Sequence, residues 1–135
     1  MNEENGYVYA ALILRGKDLN PHSVIDVIGI QPTRSFSKGD VRKNNKEWPH
    51  GYWELNSKEY VTSADISSHI NWLIKKLDGS KNEWLMFTGQ EGIDAELSCF
   101  MIYSSNHEVI NMDADLLSEL SSLNISLEFD MYFEE

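Results

Sequence analysis

The side chains best suited to chemistry gather between residues 33 and 53, where Arg34, Lys38, Arg42, Lys43 and Lys46 are interleaved with Phe36, Trp48, Tyr52 and Trp53. Arginine supplies directed N–H donors and aromatic rings supply rigid contact area, so this mixture suits an anion, a nucleotide or a protein partner. Arg34, Lys38, Trp48 and Trp53 are therefore the candidate ligand- or partner-binding residues. The competing reading is a solvated loop whose tryptophans tuck into the core, because tryptophan is highly buried on average.

Other constellations carry less. The carboxylate pairs Asp94/Glu96 and Asp113/Asp115 could divide acid and base roles if their environments separated their pKa values. Asp113 and Asp115 have a simpler task at the start of a helix, and Asp94 and Glu96 flank a strand. His22, His50, His69 and His107 stand singly, with no pair at metal-ligand spacing. His69 adjoins Ile70 on a helix, where a hydrogen-bonded structural histidine is expected. The chain contains no Lys-Ser or Lys-Thr phosphate loop, GxGxxG, GxSxG or HExxH pattern. No catalytic residue, metal or cofactor is expected, and the chain reads as a non-enzyme.

The charge is unevenly placed. The 135 residues carry 11 Lys and Arg against 22 Asp and Glu, a net charge of −11. Every basic residue lies in residues 1–82, while residues 83–135 hold twelve acids and no Lys or Arg. An acidic surface of this kind faces a basic partner, is covered by the protein's own basic segment, or simply keeps the protein soluble. Asp113, Asp115, Glu119, Glu128 and Asp130 are the candidate acidic partner face. The balance argues against tracking a nucleic-acid backbone, which needs clustered Lys and Arg.

These groups must be positioned by local structure. Residues 7–15 form an apolar run that reads as a buried strand. Asn20 and Pro21 open a helix whose apolar face is Val24, Ile25 and Ile28, with Gly29 at its end. Residues 33–37 are extended, and residues 41–50 form a polar, basic loop. A strand follows over 51–57. Ile66, Ile70, Leu73 and Leu77 then mark a helix within 63–77. Residues 83–88 and 94–104 read as paired strands joined across Gly89-Gln90-Glu91-Gly92. A helix over 113–123 leads to a last strand in which Ile125, Leu127, Phe129, Met131 and Phe133 alternate with polar residues and Tyr132.

The resulting order is β-α-β-β-α-β-β-α-β. It predicts one α+β domain over residues 1–135, with a largely antiparallel, ferredoxin-like (split β-α-β) sheet and helices on one face. With 41% hydrophobic residues the chain can build a core, and its lone cysteine, Cys99, excludes an intrachain disulfide. Met1-Asn2-Glu3-Glu4-Asn5 lacks the basic start of a secretory signal, and the apolar run is shorter than the ~20 residues of a membrane span. A cytoplasmic protein with no membrane contact is expected.

Gly16-Lys17-Asp18-Leu19-Asn20-Pro21, Ile28-Gly29-Ile30-Gln31-Pro32-Thr33, Ser37-Lys38-Gly39-Asp40 and Trp53-Glu54-Leu55-Asn56-Ser57 together resemble domain-of-unknown-function family 4279. This is a bacterial family of small proteins, and the match covers about residues 7–77. The resemblance implies a bacterial, cytoplasmic protein and no particular activity or site residue.

Two functional readings follow. The first is a non-enzymatic protein-binding module, of immunity or antitoxin type, with an acidic face for a basic partner. The second is a small-molecule or anion sensor that uses residues 33–53. A homodimer formed by the edge of the last strand is a further expectation.

Overall fold

In the computed structural model, which describes residues 7–134, the chain runs β1 (Tyr7–Gly16), α1 (Pro21–Ile28), β2 (Arg34–Phe36), β3 (Gly51–Asn56), α2 (Ile66–Lys76), α3 (Lys81–Thr88), β4 (Ile93–Tyr103), α4 (Ala114–Ser122) and β5 (Ile125–Phe133). The stretch Met1-Asn2-Glu3-Glu4-Asn5, expected to carry no secretory signal, lies outside the described residues. Among the described residues, no helix is long and apolar enough to cross a membrane.

The strands form one five-stranded sheet in the order β2-β3-β1-β4-β5. Strand β1 sits at the centre, antiparallel to both β3 and β4, and β2 is antiparallel to β3. Strand β5 runs parallel to β4, from Ala95↔Ile125 to Tyr103↔Phe133. The fold is therefore α+β with a mixed sheet, and the ferredoxin-like order is corrected. Helix α4 causes the parallel pairing, because it carries the chain from the end of β4 back to its beginning.

The loss of one expected strand explains this change of order. Residues 83–88 are not a strand but most of helix α3. A strand would set Trp84, Met86 and Thr88 on one side. Instead Trp84 and Phe87 are buried while Met86 is 65% exposed. Residues three apart share a side only on a helix. Without that strand, residues 51–133 cannot complete a split β-α-β unit.

Elsewhere local chemistry forms the expected elements. Asn20 caps α1 by accepting from the His22 amide at 3.0 Å, and Gly29 closes it in the left-handed region at φ 80°. Asp65 and Asp113 accept from Ser67 and Leu116 amides to cap α2 and α4. Helix residues Val24, Ile70, Leu73 and Trp84 share one core with sheet residues Leu12, Leu14, Trp53 and Leu97, so the helices cover a single face of the sheet. Trp53 meets Trp84 edge-on, with centroids 6.2 Å apart. The Trp84 indole donates to the Leu123 carbonyl at 3.0 Å, whereas the Trp53 indole N–H is buried with no partner among the described residues.

Cys99 lies fully buried in this core, and burial pushes its thiol up to about 12. The folded protein should therefore resist iodoacetamide at pH 8 and react completely in urea. The folded chain keeps a proton that the unfolded chain releases above 9.0, so stability is intact below that value and falls towards 12. The loss is at most about 1.4 kcal/mol per pH unit. Urea midpoints measured between pH 8 and 11 should decline less steeply in Cys99→Ala than in the wild type.

Candidate functional site

Among the described residues, no layer of chain covers the sheet face opposite the helices, and register dictates what that face presents. Pairing sets Phe36 beside Tyr52 and Arg34 beside Glu54 on β2 and β3. Arg15, Ile13 and Tyr9 of β1 share that side with Tyr52, Glu54, Glu96 and Phe100, by cross-strand pairing. On β5, Glu128, Asp130 and Tyr132 lie beside Ser98, Phe100 and Ile102.

At one end of this face an aromatic stack forms. Residues 38–47 fold back as a hairpin in which Gly39 (φ 92°) donates to the Trp48 carbonyl and the Trp48 amide donates to the Asp40 carbonyl, both at 2.8 Å. Arg42 donates to the Lys46 carbonyl at 2.7 Å, and Val41 bridges Glu47. The hairpin lays Trp48 on Phe36, with centroids 3.7 Å apart and planes at 13°. Phe36 stacks in turn on Tyr52 at 4.7 Å and 1°. The Arg42 guanidinium lies 4.2 Å from the Trp48 ring centre, and the Arg34 guanidinium lies 5.5–5.7 Å from all three rings. Such contacts hold cations without neutralising them. Burial pushes the Tyr52 hydroxyl upward, reinforced by its hydrogen bond to Glu54 at 2.5 Å, so it stays a neutral donor.

At the other end Tyr7, Tyr9, Phe100 and Tyr132 form a second aromatic group, with neighbouring centroids 5.2–6.4 Å apart. Lys58 lies 5.7 Å from the Tyr9 ring centre. Burial raises the Tyr9 hydroxyl, with Lys58 opposing. Between the two groups Arg15 forms an ion pair with Glu96.

The structure divides the residues singled out by sequence. Arg34 and Trp48 meet in the stack. Lys38 lines a separate cavity with Asp18, Asn20 and His22. Trp53, one residue beyond Tyr52, points to the opposite face and is fully buried. The five acids also separate. Glu128 and Asp130 belong to the open face, while Asp113, Asp115 and Glu119 ride on or cap α4 on the helix side. Glu119 forms an ion pair with Lys81, the last Lys or Arg in the chain. Phe36, Arg42 and Tyr52 were visible as members of the 33–53 segment, but their convergence needed the hairpin and the strand register.

Ser57 and His69 form a pair that sequence reading did not connect. Ser57 Oγ lies 2.6 Å from His69 Nδ1, and His69 Nε2 lies 2.7 Å from the Ser63 carbonyl. A carbonyl only accepts, so Nε2 carries the proton and Nδ1 accepts from the Ser57 hydroxyl. The pair resembles a nucleophile and its base, but Ser57 is 0% and His69 1% exposed, and no substrate reaches them. Among the described residues, no three His, Cys, Asp or Glu side chains gather to hold a metal ion.

A family model described as Domain of unknown function (DUF4279) matches residues 6–134, which takes in the acidic second half as well as the segments with recognisable motifs. No curated protein and no solved structure matches the chain.

Proposed function

The chain belongs to the DUF4279 family, whose description assigns no activity, and we propose from its own geometry that it is a non-enzymatic module that binds a protein through the open face of its sheet. The second aromatic group carries this reading: Tyr7, Tyr9 and Phe100 are half-buried and Tyr132 is 52% exposed, with Glu128 and Asp130 beside it. Tyrosine and phenylalanine are enriched in interface centres because they bury large rigid areas. The five strands, spaced about 4.8 Å apart and about 10–36 Å long, offer about 600 Å², the lower end of one side of a standard interface.

Asp94, Glu96, Glu128 and Asp130 make the β4–β5 side of the face acidic, while Arg34, Arg42 and Lys58 lie towards β2 and β3, and the acidic side suits a partner with a basic surface. On this reading the acidic partner face keeps Glu128 and Asp130 and leaves out Asp113, Asp115 and Glu119. A second copy fits less well. Strand β5 lies at the sheet edge, but antiparallel self-pairing centred on Phe129 would set Glu128 opposite Asp130. Like charges directly opposed are destabilising.

Affinity capture from native lysate at low salt tests the reading. Wild type and Asp115→Lys should retain the same basic protein, which high salt weakens, while Asp130→Lys and Tyr132→Ala should lose it. An empty bait, or a partner lost only from Asp115→Lys, removes the open face from the account.

A small-ligand reading rests on a different observation, the Arg34–Phe36–Trp48–Tyr52 stack with Arg42. These cations sit on rings rather than on carboxylates and remain available to an anion.

A further inference from the structure

We propose that the cavity between Arg34 and the hairpin of residues 38–47 binds the phosphoryl group of a small molecule, an inference that rests on the small-ligand reading and not on the protein partner. The cavity holds about 520 Å³ and is lined by Arg34, Val41, Arg42, Lys43, Asn44 and Trp48. Three cations and no carboxylate is an unusual lining in a chain of net charge −11. The cavity beside Arg15, by contrast, includes Asp94 and Glu96, and Arg15 is already paired.

Several independent features make this lining a site. Among the described residues, ion pairs engage Arg15 and Lys81 but none of Arg34, Arg42 or Lys43. Arg42 Nε is buried with no hydrogen-bond partner among the described residues. A buried charged donor without an acceptor is costly, and an incoming oxyanion relieves that cost. A guanidinium carries its N–H groups in one plane as a fork that matches two oxygens of one phosphate. Asn44 Oδ1 already accepts from the Lys46 amide, which leaves its NH₂ as a further donor.

The stack also excludes alternatives. Trp48 has Phe36 at 3.7 Å on one face, so Arg42 at 4.2 Å must cover the other. Phe36 is enclosed between Trp48 and Tyr52. No face of Trp48 or Phe36 is left for a nucleobase, and recognition falls to the anion itself. A nucleic-acid backbone would carry many phosphates across Glu54, Glu96 and Glu128, which repel it. A single phosphoryl group meets only the cations.

Isothermal calorimetry on the full chain, at constant ionic strength, tests this with inorganic phosphate, chloride, malonate, a phosphoserine peptide and a single-stranded oligonucleotide. Phosphate should saturate one site at least tenfold more tightly than chloride. Arg42→Ala should weaken it at least tenfold and Lys43→Ala severalfold, with native circular dichroism retained in both, while Arg42→Lys, which keeps the charge but loses the fork, falls between. Phosphate binding no tighter than chloride, or unaltered in both alanine variants, overturns the proposal. Malonate binding without phosphate binding overturns the phosphoryl class but leaves the anion reading of residues 33–53 standing; silence with every anion ends both. Tighter binding of the phosphoserine peptide than of free phosphate overturns the small-molecule assignment in favour of a phosphorylated protein, and tighter binding of the oligonucleotide does so in favour of a nucleic-acid backbone.

Discussion

Gly51→Ala should cost about 4 kcal/mol or more, placing it among the exceptional single substitutions. A Cβ at position 51 would stand 1.7 Å from the Leu19 carbonyl oxygen and 2.7 Å from its carbon. Both are backbone atoms, so no side chain can turn aside to make room. Relief requires moving either the start of β3, which pairs Gly51 with Gly16, or the loop that leads into the Asn20 cap of α1. The first breaks the central register and the second breaks the cap. With total stabilities of about 5–15 kcal/mol for domains, the variant should be largely unfolded or insoluble. Gly29→Ala provides the contrast, because nothing lies within 4 Å of its added Cβ and only the left-handed φ of 80° opposes it. That change should cost about 1–2 kcal/mol. Urea unfolding followed by tryptophan fluorescence measures both, and equal midpoints for the two variants would refute the steric account.

His69→Ala should cost about 4 kcal/mol, through two lost acceptor–donor pairs and a cavity. His69 receives the Ser57 hydroxyl proton at Nδ1 and donates from Nε2 to the Ser63 carbonyl. The Ser57 oxygen accepts from the Ala10 amide at 3.0 Å, and the Ser57 amide donates to the Ala10 carbonyl at 2.9 Å. The histidine thus ties α2 to the end of β3 and to β1. Ser57→Ala removes one link and should cost about 2 kcal/mol, leaving the Ala10 amide and Nδ1 unmatched. Because the two side chains share a hydrogen bond, the double variant should be more stable than the summed single costs, by about 1 kcal/mol. Denaturation of the three variants checks the coupling. An activity-based fluorophosphonate probe should leave Ser57 unlabelled in the folded protein; labelling would show an accessible nucleophile and reverse the structural assignment.

Much of the fold was legible because it follows from neighbours along the chain. The apolar run of β1, the Asn20, Pro21 and Gly29 punctuation of α1, the spacing of α2 and the alternation of β5 each express a local rule, and each element forms where those rules place it. Helix α3 was not legible. Its eight residues include Trp84, Leu85, Met86 and Phe87 in an unbroken apolar run, and such a run satisfies strand and helix patterns equally. What decides between them is that Trp84 and Phe87 both find the core, and Trp84 reaches a Leu123 carbonyl far along the chain.

The candidate surface divides in the same way. Composition alone marked residues 33–53 as cationic and aromatic, and it marked the last two-fifths of the chain as acidic. Strand parity then separated Tyr52 on the open face from Trp53 in the core, and the hairpin brought Arg42 and Trp48 onto Phe36. Sheet order and the α4 crossover split the acids between two sides of the molecule. Residue type and near-neighbour spacing carry the first kind of information, because hydrogen bonds within a turn and the period of a helix or strand are local. Which side chains meet across strands depends on register and on long-range burial, and those free energies exist only once the distant segments are packed together.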